Sequence, residues 1–208
     1  MAGFEEQKYI AEGIPFPSSL PKGYDKVEEE SLKFDAEKHL ALEEPSWVQT
    51  LNFEKVDFPF QSKSSKTAGF AYTAPFRVLS SEGVKALRKV IDENESFATQ
   101  NGRQPKALRG LGYISEFVRQ LNYSPPILDL LSRISNAPMW PHSMPMNFGH
   151  TNFGIIGSTA PVDKWHADSV DYVLVLIISD MQDMVCCSSI IHTHILLCFI
   201  LSFVLAIH

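Results

Sequence analysis

Apolar residues first fall into a helical rhythm near residue 80. Val84, Leu87, Val90 and Ile91 recur at the spacing of one helix face, with Lys85, Arg88, Lys89 and Asp92 outside it. Ser80 and Ser81 offer an N-cap, and Glu82 sits in the first turn, where a negative charge complements the helix dipole. Asn94-Glu95-Ser96 ends the pattern, and Asn101-Gly102, Pro105 and Arg109-Gly-Leu-Gly112 mark further breaks. A second helix is predicted on the stripe Ile114, Phe117, Val118 and Leu121. A third begins at Pro125-Pro126, suited to a first turn, and runs through Ile127, Leu130, Leu131 and Ile134 to Asn136. Each stripe reads as a core face.

From Ala137 the period shortens. Met144 to Phe153 and the segment ending at Pro161 read as strand and turn, and Tyr172–Ile178 is an unbroken β-rich run. Such a run predicts a strand buried on both faces. Helices followed by strands predict an α+β fold. Upstream, residues 1–79 read as an N-terminal arm with short elements. Trp47, Leu51, Phe53, Phe58 and Phe60 are able to dock on a core there, but hold no sustained period.

Length and charge narrow the classes. A chain of 208 residues suits one domain, and a net charge of -6 gives no footing for nucleic acid or an anionic membrane surface. The acidic start, Met1-Ala-Gly-Phe-Glu-Glu, lacks the apolar run of a signal peptide, so a cytoplasmic location is the default expectation. Composition then changes abruptly. From Val185 onward there is no Lys, Arg, Asp or Glu, and all three cysteines, Cys186, Cys187 and Cys198, lie in that stretch. The expected organisation is the arm, a domain over 80–184 and an apolar tail over 185–208.

The chemistry concentrates just before the long strand. In Asp163-Lys-Trp-His166-Ala-Asp168-Ser-Val-Asp171-Tyr-Val-Leu-Val-Leu, His166 and Asp168 are two residues apart. On a strand that spacing places an imidazole and a carboxylate on one face. Two histidines and one carboxylate form the facial iron(II) triad that leaves positions open for oxygen and cosubstrate. This segment resembles the iron-binding stretch of the iron(II)/2-oxoglutarate-dependent dioxygenase superfamily, in its phytanoyl-CoA-hydroxylase-like group. The order of elements from Ser80 to Met184 is similar to that family's plan.

The resemblance implies a double-stranded β-helix, or jelly roll, with preceding helices packed on its first strands. It implies His166 and Asp168 as ligands of Fe(II), Trp165 as a wall of the site, and 2-oxoglutarate as cosubstrate. The implied reaction converts 2-oxoglutarate to succinate while hydroxylating a small molecule. Asp171 reads as a solvent-facing or hydrogen-bonding group. His142 and His150 read as structural histidines near the pocket, and Asn147, Thr151 and Asn152 as hydrogen-bonding candidates for a cosubstrate. Arg109 and Arg119 are able to fork onto a carboxylate, although surface pairing is the default for an arginine.

That family also requires a second histidine on a later strand and, beyond it, an Arg or Lys for the far carboxylate of 2-oxoglutarate. No Lys or Arg follows Lys164, and the later histidines, His192, His194 and His208, lack the family's strand-turn context. The site is therefore expected to be incomplete and the chain inactive as written. Val185 is the residue a GT splice-donor codon encodes, so read-through into an intron is one expectation for the tail. The other is a tail anchor, because the apolar run 190–207 meets the lower length limit for a membrane-spanning helix. The rival reading is thus a tail-anchored membrane protein with a non-catalytic soluble domain. A cupin-like module would need a different histidine spacing and a glycine-rich strand.

Overall fold

The computed structural model describes residues 19–24, 32–50, 70–102, 104–154, 172–179 and 197–205. These residues combine helices with two small antiparallel sheets. The first helix, α1 (Ala36–His39), is a single turn whose N-cap Asp35 accepts the Glu37 and Lys38 N–H groups. Strands β1 (Val48–Thr50) and β2 (Phe70–Thr73) pair with each other. Trp47 packs edge-on against Tyr72 at 5.7 Å but stays half exposed, so it does not dock on the core. Leu51, Phe53, Phe58 and Phe60 lie outside the described residues.

The helix predicted from Ser80 is α2 (Ser81–Glu93). The Ser80 hydroxyl accepts the Gly83 N–H at 3.0 Å, and Leu87, Val90 and Ile91 are buried. Ser80 also donates its own N–H to the His39 carbonyl at 3.0 Å, and Leu40 bridges Leu79. This couples the start of the helical block to α1. The buried His39 ring packs edge-on against Phe117 at 5.2 Å.

After β3 (Ala107–Leu108), the second predicted helix proves to be two, α3 (Leu111–Ile114) and α4 (Glu116–Asn122). Ser115 adopts an extended conformation and its hydroxyl accepts the Val118 N–H at 3.1 Å, so it ends one helix and caps the next. A side-chain oxygen that satisfies a helix-start N–H outweighs the continuity of the apolar stripe. The third predicted helix is α5 (Pro125–Ser135), with proline in its first turn and Asn136 closing it in the left-handed region. Phe117, Leu121, Ile127, Leu111 and Phe148 form the fully buried centre.

The second sheet contains β3 and four later strands: β4 (Met139–Pro141), β5 (His150–Phe153), β6 (Tyr172–Ile177) and β7 (Leu197–Leu205). β7 pairs with β5 over Leu197–Ile200, with β4 over Phe203–Leu205, and with β6 over Cys198–Phe203. It is the common neighbour of the other three. Residues 197–205, expected within an apolar tail or an anchoring helix, are thus a strand. No helix among the described residues is long and apolar enough to cross a membrane.

β6 also departs from expectation. Leu176 and Ile178 are 8% and 3% exposed, whereas Val175 and Ile177 are 51% and 49% exposed. The strand is buried on one face only. Its hydrophobic sequence gave no sign of that asymmetry, because among the described residues no second layer covers Val175 and Ile177.

Candidate functional site

His166 and Asp168, with Trp165 and Asp171, lie outside the described residues, as do His192, His194 and His208. Among the described residues no group of three His, Cys, Asp or Glu side chains is placed to hold a metal. The other candidates can each be located.

His150 opens β5 and is buried. Gln104, itself fully buried, places its side-chain amide nitrogen 3.2 Å from His150 Nε2. The Gln104 oxygen accepts from Asn101 Nδ2 at 3.0 Å, which fixes the amide so that nitrogen faces the ring. His150 Nε2 is thus placed to accept from the Gln104 amide. Thr151 is fully buried and donates its hydroxyl to the Gly149 carbonyl at 3.1 Å. Asn152 is buried in the same strand. Arg119 donates to the Gly112 carbonyl at 3.0 Å, closing the end of α3. It serves the fold there.

Arg109, Asn147 and His142 come together. Arg109 Nη1 donates to Asn147 Oδ1 at 3.4 Å, and Asn147 Nδ2 lies 3.3 Å from His142 Nε2. His142 Nδ1 accepts the Met144 N–H at 3.0 Å. All three side chains are half-buried. Burial holds the His142 pKa below the usual histidine value, which favours the neutral ring.

Two glycines let the chain segments meet. Gly110 occupies the left-handed region at φ 79°, and its N–H donates to the Met146 carbonyl at 2.9 Å. A Cβ on Gly112 would lie 2.4 Å from the Pro145 carbonyl oxygen, so only glycine allows α3 to lie against the short 3-10 turn Pro145–Asn147. From the opposite side, the Tyr24 hydroxyl donates to the Arg109 carbonyl at 3.1 Å, and its ring stacks on Phe97. The backbones bearing Arg109 and Asn147 are therefore fixed relative to one another.

Sequence reasoning singled out Arg109, Asn147 and His142 separately and gave them different roles. The structure makes them one cluster. The Gly-Leu-Gly spacing after Arg109, read only as a break, is the signal of the close approach that builds it.

A separate pocket of about 70 Å³ opens between the end of α5 and the start of β6. Phe76, Leu131, Ile134, Met139 and Leu174 make it mainly apolar, and Thr73 and Tyr172 bring hydroxyls to its lining. Ser135 also lines it, but its hydroxyl bonds the Leu131 carbonyl at 2.8 Å. Leu131 and Ile134, predicted as core residues of the third helix, are only half-buried and face this pocket.

No protein-family model matches the chain, and neither the curated proteins nor the solved structures yield a match.

Proposed function

We propose that the chain is the front part of a non-haem iron(II), 2-oxoglutarate-dependent oxygenase domain of jelly-roll type, a hydroxylase of a small molecule in its complete form. His166 and Asp168 are the proposed iron ligands. The observation that supports this reading is β6 (Tyr172–Ile177), a strand in the apolar run that follows the His166–Asp168 segment, as the resemblance calls for. The helices that precede the strands, and the mainly apolar pocket against the start of β6, add support.

Among the described residues, which do not include His166 and Asp168, no three His, Cys, Asp or Glu side chains group to hold a metal. The His142 Nδ1 lone pair takes the Met144 N–H, and His150 Nε2 faces Gln104. The basic partner for the far carboxylate of 2-oxoglutarate is missing after Lys164. These 208 residues with iron(II), ascorbate and 2-oxoglutarate are expected to release no more succinate than a metal-free control. Robust turnover that Asp168→Ala abolishes would overturn the predicted inactivity while supporting Asp168 as a ligand. Iron(II) retention in equilibrium dialysis, if unchanged in a His166→Ala/Asp168→Ala chain, would remove the ligand assignment itself. The alternative, a tail-anchored membrane protein with a non-catalytic soluble domain, rests on the apolar run 190–207, and carbonate extraction of membranes carrying the full chain tests it.

A further inference from the structure

The pocket between the end of α5 and the start of β6 has an apolar floor and a more open side. Met139, on β4, is only 2% exposed and marks the floor. Phe76, Leu131, Ile134 and Leu174 are half-buried around it. Leu131 and Ile134 stand three residues apart on α5, so one helix face lines the space. Ser135 also lines it, but its hydroxyl is engaged with the Leu131 carbonyl at 2.8 Å and the Ala137 carbonyl at 3.2 Å. Thr73, from β2, brings a hydroxyl on a half-buried residue. None of the lining residues is charged.

We propose that this pocket binds a neutral molecule with a short unbranched alkyl chain and a hydroxyl head. Its volume of about 70 Å³ is roughly half that of the ~150 Å³ cavity that admits benzene, which favours a slim alkyl chain over a ring. The chain runs toward Met139, and the head meets the Thr73 hydroxyl. Covering the half-buried faces of Leu131 and Ile134 supplies the driving force. A carboxylate or ammonium head would give up its hydration and find no opposite charge in the lining. The walls come from β2, α5, β4 and β6, so the site is assembled by the fold before a ligand arrives. It does not depend on His166 or Asp168.

The test titrates the metal-free full-length chain with the straight-chain primary alcohols from propanol to hexanol, followed by NMR of the methionine methyl groups. Saturable movement of the Met139 methyl is expected, while Met144, 52% exposed, stays still. The same titration should result from the His166→Ala/Asp168→Ala chain. Affinity should rise about fourfold with each methylene over the shorter members. Hexanoate should bind at least about tenfold more weakly than hexanol. Thr73→Val keeps the shape and removes the hydroxyl, and should weaken pentanol about fivefold. Ile134→Trp carries a ring into the space and should abolish the Met139 response. If that chain fails to fold, Thr73→Val and the alcohol series decide alone. Absence of saturable movement at Met139 would overturn the proposal. So would affinity that does not grow with chain length, hexanoate binding as tightly as hexanol, or pentanol binding left unchanged by Thr73→Val.

Discussion

The helical block and the strand β6 contain similarly apolar residues but use them differently. In the block, Leu87, Ile91, Phe117 and Leu121 are all fully buried. In β6, neighbouring residues alternate between 8% exposed at Leu176 and 49% exposed at Ile177. A helix stripe faces whatever the helix packs on, so its pattern and its burial coincide. A strand presents two faces, and an apolar sequence on both says nothing about which face is covered. Hydrophobicity therefore predicted burial along most of the block, where Val84, Leu131 and Ile134 are the half-buried exceptions, and overestimated it on a whole face of β6.

The comparison can be broken at its strongest point first. Phe117→Ala removes a fully buried ring that packs on His39 and Phe34. A loss of about 3–5 kcal/mol is expected in urea unfolding. A loss below ~1 kcal/mol would mean that the helical block is not the main core. Next comes the pair in β6. Leu176→Ala should cost about 2–3 kcal/mol and Ile177→Ala under ~1 kcal/mol, despite their adjacency. Equal losses would show that a layer covers Ile177 after all.

A smaller effect, notable for its sign, is expected at Gly112 in α3. Alanine in place of glycine within a helix ordinarily gains up to ~1 kcal/mol. Here the added Cβ would lie 2.4 Å from the Pro145 oxygen, so Gly112→Ala should instead cost about 1–3 kcal/mol. It should also disturb the Arg109–Asn147 contact, seen as a shift of the His142 ring resonances in NMR. Stabilisation by this substitution would show that the 3-10 turn does not press on α3.

Much of the helical layer was legible because its punctuation is local. Ser80, Pro125 and Asn136 each act on backbone groups within a turn of themselves. Ser115 was misread because a serine inside an apolar stripe looks tolerable until its hydroxyl is seen to cap α4. The pairing of the strands was not legible, since β7 meets β5 and β6 through backbone groups that any side chains would leave available. The candidate cluster fell between these cases. Arg109 and Asn147 are 38 residues apart, and only the packing at Gly110 and Gly112 makes them neighbours. His166 and Asp168 were legible as a motif, and their proposed role still rests on it.

The position of β7 bears on the time course of synthesis. Among the described residues, β4 and β6 have no strand neighbour except β7. β5 is complete at Phe153, whereas β7 ends at Leu205. At typical translation rates that interval lasts roughly 3–10 s. During it the helical block can already be folded while β4, and β6 once Ile177 has been added, wait with open edges. Open edges of that kind invite pairing with other chains, so the stretch of synthesis before β7 is where the nascent chain is most exposed to aggregation.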